Sequence, residues 1–73
     1  MSLEDQLVLQ GWNCLDKERL YFQINKDTKA TVTLNYNLVR KQLSWYSWIV
    51  DKYVTHNTSD IILIKKIVLI FGG

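Results

Sequence analysis

The clearest pattern along the chain is an alternation of apolar and polar residues between Ala30 and Tyr36. Val32, Leu34 and Tyr36 fall on one side, and polar residues stand between them. Successive side chains of a strand point to opposite faces, so a period of two indicates a strand with one buried face. This stretch therefore predicts a half-buried β-strand.

The segment from Leu38 to Val54 follows a different period. Its apolar residues recur three or four positions apart, at Val39, Leu43, Tyr46, Val50 and Tyr53, with Trp45 and Ile49 beside them. Such spacing places side chains on one face of a helix. The pattern predicts one long helix here, followed by a loop from Thr55 to Asp60.

The segment from Ile61 to Phe71 is apolar at almost every position and rich in β-branched residues. Only Lys65 and Lys66 interrupt it. β-Branched side chains favour strands, and a continuous apolar run is typical of a strand that is covered on both faces. The segment therefore predicts a central strand.

Two segments in the first third of the chain each support two secondary-structure predictions. The run from Leu7 to Leu15 predicts a hairpin that turns at Gly11, although Leu3 to Gln10 also fits one short helix. The run from Asp16 to Asn25 suits a strand by residue preference, but Asp16 is also a suitable start for a helix. Both pairs of alternatives stay open.

Length, charge and composition restrict the function more than they define it. Seventy-three residues predict a single domain over 1–73, and a net charge of +2 is too small to indicate a strongly basic nucleic-acid binder. One cysteine and one histidine exclude an internal disulfide framework and a Cys/His zinc site. No apolar run approaches the roughly 20 residues of a membrane span. We expect no membrane association and an intracellular location, either cytoplasmic or, for an organellar protein, in the plastid stroma.

Candidate catalytic residues are sparse. His56 stands among polar residues without a nearby nucleophile, and Cys14 lies next to Leu15, which predicts a buried and inert thiol. No paired carboxylates suggest acid–base catalysis, and no glycine-rich loop suggests phosphate binding. The sequence therefore predicts a protein that is not an enzyme and holds no permanently bound cofactor.

The pair Gly72-Gly73 is the sharpest chemical feature. Glycine lacks a Cβ atom, so two in succession form a slim, flexible tail that fits a narrow channel. Upstream, the stretch from Val32 to Lys41 is followed by Trp45, and the stretch from Asp60 to Val68 leads into the glycines. Together these residues resemble the ubiquitin-like sulfur carriers of the ThiS/MoaD type.

The resemblance implies an α+β protein with a ubiquitin-like β-grasp fold: a mixed sheet packed on one helix near Lys17 to Asn25, with Ile61 to Phe71 as the central strand. It implies a flexible tail in which an E1-like enzyme adenylates Gly73 with ATP, so that a thiocarboxylate can form. The sulfur would pass to a thiazole synthase in thiamine biosynthesis or, as the sister pathway, to the large subunit of molybdopterin synthase. The residues expected at the partner interface are Phe71, Ile70, Trp48 and Trp45.

Two other functions remain open. One is a non-catalytic interaction module or homodimer that uses the apolar final strand and the tryptophan-bearing helix. The other is a small nucleic-acid-binding protein, because aromatic residues stand near basic ones between Arg40 and Tyr53 and aromatic rings can stack on unpaired bases. The carrier hypothesis itself predicts no nucleic acid as partner and leaves a homo-oligomer open.

Overall fold

The computed structural model describes residues 2–27, 30–47 and 49–72, without the side chains of 25–27, 30, 31 and 72. Its elements in chain order are α1 Leu3–Leu9, β1 Asn13–Cys14, β2 Arg19–Asp27, β3 Ala30–Asn37, β4 Gln42–Ser47, β5 Lys52–Asn57 and α2 Ile61–Gly72. The five strands form one sheet in the order β1-β2-β3-β4-β5, and every neighbouring pair is antiparallel. The α+β class is confirmed. The prediction of a mixed sheet is wrong, because each strand folds back on the one before it.

The first element is the short helix α1, so the alternative interpretation of this region is confirmed and the hairpin is wrong. Ser2 caps the helix by accepting a hydrogen bond from the backbone N–H of Asp5 at 3.2 Å. Glu4 and Asp5 add negative charge in the first turn, where the helix dipole favours it. These local interactions outweigh the strand preference of the apolar run that follows.

Gly11 ends α1 and does not form the tip of a hairpin. Its φ of +101° is a conformation that favours glycine. The backbone N–H of Gly11 bonds to the carbonyl of Val8 at 3.0 Å, and the N–H of Trp12 bonds to that of Leu7 at 3.1 Å. This pair of bonds is the Schellman motif that closes many helices. It turns the chain so that Leu7 and Trp12 both enter the core.

The segment that could have been strand or helix forms the long strand β2, so the helix near Lys17 to Asn25 is wrong. Asp16 forms a tight turn before β2, because its Oδ1 accepts hydrogen bonds from the N–H groups of Glu18 and Arg19 at 2.9 and 3.0 Å. The strand predicted from Ala30 to Tyr36 is confirmed as β3.

The long helix predicted from Leu38 to Val54 is wrong, because the segment forms two strands. In β4 the buried residues Leu43 and Trp45 are two positions apart, which is the period of a strand. Val39 and Val50, which completed the helical spacing, lie exposed in the turns that bound β4. The predicted loop from Thr55 is also partly wrong, since β5 continues to Asn57.

The central strand predicted from Ile61 to Phe71 is wrong as well, because this segment is the helix α2. In a strand, the adjacent Lys65 and Lys66 would point to opposite faces, and one of them would enter any core that covered both. In the helix both are exposed, while Ile64 is fully buried. Helical geometry therefore keeps both charges in water.

The core lies on one face of the sheet, where both helices contribute to it. Leu20, Tyr36 and Leu43 form one cross-strand row, and Leu7 of α1 and Ile64 of α2 belong to the same buried cluster. The alternation of the strands directs the intervening side chains to the opposite face. That face, called the open sheet face below, carries no helix in the described part of the chain.

Candidate functional site

α2 begins at a well-formed cap. Asp60 Oδ1 accepts hydrogen bonds from the backbone N–H groups of Ile62 at 2.9 Å and Leu63 at 3.4 Å. Thr58 supports the cap, because its Oγ1 accepts the N–H of Asp60 at 3.0 Å. Such caps satisfy donors that the helix itself leaves unpaired. They explain why a run of β-branched residues is helical here.

A second contact fixes the approach to α2. The hydroxyl of Tyr36, on β3, donates to the carbonyl of Thr58 at 2.6 Å. Tyr36 is only 1% exposed, and burial raises the pKa of its phenol. The hydroxyl therefore remains a donor, and it ties the start of α2 to the middle of the sheet.

The inner face of α2 packs on the sheet through Ile64 and the aromatic ring of Phe71. Phe71 meets Trp45 edge to face, with ring centroids 5.3 Å apart. Trp45 also stacks on His56, with centroids 5.5 Å apart and an interplanar angle of 19°. Trp45 thus lies between the helix and β5 as a core residue, and it attaches the C-terminal half of α2 to the sheet.

The outer face of α2 is apolar too. Its aliphatic residues are 41–72% exposed, and two lysines lie among them. We call this set the α2 outer surface; it comprises Ile62, Leu63, Lys65, Lys66, Leu69 and Ile70. A helix that is hydrophobic on all sides is normally buried on all sides. Here one side has nothing over it in the described part of the chain.

A groove lies beside this surface, between α1, α2 and the sheet. We call it the α1–α2 groove; its volume is about 380 Å³, and it is lined by Leu9, Gln10, Trp12, Phe22, Lys65, Val68 and Leu69. The rings of Trp12 and Phe22 are in contact, with centroids 5.6 Å apart. The indole Nε1–H of Trp12 is buried without a hydrogen-bond acceptor. An unpaired buried donor of this kind costs about 1–3 kcal/mol.

Glycine at position 11 helps to shape this groove. A Cβ atom built on Gly11 would lie 3.2 Å from the ring of Phe22. The hydrogen atom of glycine lets the Phe22 ring lie against the turn and beside Trp12. The end of α1 and the floor of the groove therefore depend on the same residue.

The open sheet face has a different chemistry. Its cross-strand rows consist almost entirely of neutral polar side chains, with tyrosines among them; one row is Tyr21, Asn35, Ser44 and Thr55. Tyr46 and Tyr53 form an edge-to-face pair with centroids 5.5 Å apart. The Tyr46 hydroxyl also donates to Asp51, and this hydrogen bond raises the pKa of Tyr46. This face is well solvated and differs sharply from the α2 outer surface.

The structure separates the residues that were predicted to share a partner interface. Ile70 is 72% exposed on the α2 outer surface, whereas Trp45 is buried and Phe71 is half-buried against it. Trp48 and Gly73 lie outside the described residues, and Gly72 is the last residue of α2. The flexible tail and the sulfur-carrying role of the two glycines stay predictions.

Sequence reasoning missed Ile62, Leu63 and Leu69 as surface residues because it interpreted their segment as a buried strand. Two signals pointed to the helix. Asp60 is a favoured N-cap residue directly before the run, and the adjacent lysines require a geometry that exposes neighbouring positions. These signals predict the helix only if capping and charge are given more weight than β-propensity.

The residues considered for catalysis do not assemble a site. The thiol of Cys14 is exposed, so the prediction of a buried cysteine is wrong. Partial desolvation and the neighbouring Glu4, 3.7 Å from the sulfur, raise the pKa of Cys14 and keep it as a thiol. His56 stacks on Trp45. Within the described ranges, no group of three His, Cys, Asp or Glu residues is arranged to hold a metal ion.

Comparisons with known proteins leave the family undefined. No family model matches the chain, and no curated protein or solved structure matches it significantly. Neither helix in the described part of the chain combines the length and the apolar character that crossing a membrane requires. The two surfaces and the groove are therefore the features that bear on function.

Proposed function

We propose that this chain is a non-catalytic protein-interaction module that binds a partner protein through the α2 outer surface. The observation that carries the proposal is the exposure of its aliphatic side chains, with Ile62 at 64%, Leu69 at 61% and Ile70 at 72%. Full burial of one such side chain contributes about 1.5–3 kcal/mol relative to leaving it in water. A few of them at the centre of an interface supply much of a useful affinity.

The lysines indicate the chemistry of the partner. Lys65 and Lys66 lie in the middle of α2, and neither has a carboxylate partner among the described residues. A two-fold axis through the middle of this surface would bring the lysine pair of one copy close to the lysine pair of the other, because a symmetric interface pairs a patch with itself. Like charges so close oppose association. A different protein, with an apolar surface that carries carboxylates opposite the two lysines, fits better.

Site-specific photo-crosslinking tests this proposal. A photoreactive residue at position 70 should give one discrete adduct in the native cell extract, whereas the same residue at position 39 should give none. Val39 is a close control, because it is an aliphatic residue with 68% exposure in the turn between β3 and β4. Adducts formed in equal yield at positions 70 and 39 would show that exposure alone explains the crosslinking.

Binding of the purified partner then provides the quantitative test. Ile70→Glu should weaken binding about tenfold or more, which corresponds to about 1.4 kcal/mol, and Val39→Glu should leave it unchanged. Lys66→Glu should also weaken binding if carboxylates face the lysines. Light scattering on the chain alone gives the oligomeric state. A dimer that Ile70→Glu dissociates would make a second copy the occupant of the surface.

The sulfur-carrier hypothesis is the second candidate, and its support lies in Gly72, Gly73 and the residues that resemble the ThiS/MoaD carriers. It requires a free carboxylate on Gly73. An E1-like enzyme would join that carboxylate to AMP and release pyrophosphate, and sulfur from a donor would then displace AMP. The carrier would act in the cytoplasm or the plastid stroma, and its β-grasp fold would need to accommodate a helix before the glycines.

Intact mass tests the carrier hypothesis separately from the interaction proposal. The carrier hypothesis predicts that ATP, a sulfur donor and an E1-like enzyme replace one oxygen of the Gly73 carboxylate by sulfur. A variant that lacks Gly73 is the control and should remain unmodified. If a known carrier is modified in parallel and this chain is not, the carrier hypothesis is wrong. Binding through Ile70 would be unaffected by either result.

A further inference from the structure

The α1–α2 groove is a half-open concavity with a mostly apolar lining. Phe22 and the buried Trp12 lie at its base, and the more exposed Leu9 and Leu69 lie at its rim. Its volume of about 380 Å³ falls in the range of pockets that hold small ligands. Most of the lining is aliphatic or aromatic, so the body of a ligand in this groove must be apolar.

The polar groups of the groove indicate which chemical group should stand at the end of such a ligand. Lys65 lines the groove as a cation, the side-chain amide of Gln10 offers N–H groups, and no carboxylate is among the lining residues. A set of donors with one positive charge is complementary to an anionic acceptor.

We propose that the α1–α2 groove binds a small amphipathic carboxylate, an alkyl chain that ends in a single carboxylate group. The chain lies against Phe22, Val68 and Leu69, and the carboxylate faces Lys65. Lys66 is the adjacent residue on the same helix but does not line the groove. This difference distinguishes a carboxylate site from a general attraction of anions to α2.

The groove shares Lys65 and Leu69 with the α2 outer surface, but each proposal also depends on residues of its own, so the two can fail separately. Ile62 and Ile70 belong to the α2 outer surface and do not line the groove, whereas Trp12 and Phe22 line the groove and are not part of that surface. Ile70→Glu should therefore weaken partner binding about tenfold or more and leave carboxylate binding unchanged. Weaker carboxylate binding by Ile70→Glu would contradict the groove proposal, and unchanged partner binding would contradict the proposed function.

Nuclear magnetic resonance titration with octanoate tests the groove directly. The indole N–H signal of Trp12 and the backbone signals of Lys65 and Leu69 should shift and saturate. Octan-1-ol, which keeps the chain but lacks the charge, should bind at least about twofold more weakly, and octylammonium more weakly still. Binding of octan-1-ol or octylammonium as tightly as octanoate would overturn the carboxylate assignment, and so would the absence of any shift with octanoate.

The two neighbouring lysines provide a matched pair of variants. Lys65→Gln should weaken octanoate binding about two- to fivefold, the effect of losing one solvent-exposed charge pair, and Lys66→Gln should leave it unchanged. Leu69→Trp, which fills the rim, should abolish the saturable shift at Trp12. Because all three positions are exposed, the variants should fold. Equal effects of the two lysine variants, or full binding by Leu69→Trp, would refute the site.

Discussion

The α2 outer surface and the open sheet face both meet solvent, but they have opposite chemistry. The sheet face carries rows of amides, hydroxyls and tyrosines, such as Asn35 beside Ser44. The helix surface carries exposed aliphatic residues such as Ile62 and Ile70 around two lysines. Both surfaces belong to elements that are packed on their other side. Packing within the chain therefore does not explain why one of them is apolar.

The difference indicates which of the two surfaces is the better candidate for a contact beyond the described residues. A helix needs one apolar stripe to pack on a sheet, and the inner residues of α2, such as Ile64 and Phe71, already supply it. Polar residues on the outer side would satisfy the fold equally well. The proposed partner would account for the aliphatic residues there, whereas the sheet face is already suited to water.

The largest expected effect is a difference in stability between substitutions on the inner and outer sides of α2. Ile64→Ala removes a side chain that is 0% exposed, and we expect a loss of about 2–5 kcal/mol in the free energy of unfolding. Ile70→Ala, on the outer side of the same helix, should change it by only about 0.5 kcal/mol. Urea unfolding of both variants measures the difference. Equal losses would mean that Ile70 is buried in solution, for example in a dimer.

The next effect concerns the cap that makes α2 a helix. Asp60→Ala removes the acceptor of the Ile62 and Leu63 N–H groups and should reduce stability by about 0.5–2 kcal/mol. Ser59→Ala is the control, since the Ser59 side chain makes no hydrogen bond with the described residues and the change should be nearly neutral. Thermal unfolding of the two variants measures the difference. A neutral Asp60→Ala would mean that packing alone holds the helix.

The capping residues also show how far the sequence predicts this fold. The strand from Ala30 follows from the chain itself, because β3 alternates strictly and lies with one face in the core, whereas the α+β class was expected from the family resemblance. The segment from Ile61 was misinterpreted because β-propensity is weak compared with a good cap and with the cost of burying lysines. The C-terminal half of the fold therefore depends on interactions that a propensity analysis undervalues.

The helix predicted from Leu38 to Val54 is wrong for a different reason. Two hairpin turns of similar length place Val39 and Val50 at intervals that imitate a helical stripe. Each turn ends in a residue with a φ of 54°, Lys41 or Asp51, and neither is a glycine that would mark the position. The α1–α2 groove could not be predicted either, because it joins residues that are more than 50 positions apart in the sequence.

A smaller effect tests whether the open sheet face contributes to stability. Tyr46 and Tyr53 are directly opposite each other on β4 and β5 and meet edge to face. A double-mutant cycle to alanine should give a coupling energy of about 0.2–1 kcal/mol. Ser44 and Thr55, an opposed pair on the same face, should show weaker coupling. Stronger coupling in the Ser44–Thr55 pair would mean that the tyrosine contact does not stabilise the face.

The smallest effect lies at the turn before β2, where Asp16 and Arg19 form an exposed ion pair at 2.6 Å. The hydrogen bonds from Arg19 lower the pKa of Asp16 below its ordinary value. A lowered carboxyl pKa stabilises the fold at pH values above the ordinary pKa of about 3.9, and this contribution disappears as the pH falls through the folded-state pKa.

Carbon NMR of the Asp16 carboxyl should show a pKa below the ordinary value, and Arg19→Gln should raise that pKa toward the ordinary value. Because both groups are exposed, the ion pair should contribute little to the free energy of unfolding, even at neutral pH. It therefore stabilises the fold far less than the inner side of α2 does. An unchanged titration in Arg19→Gln would mean that the backbone N–H of Glu18, and not Arg19, sets the ionisation of Asp16.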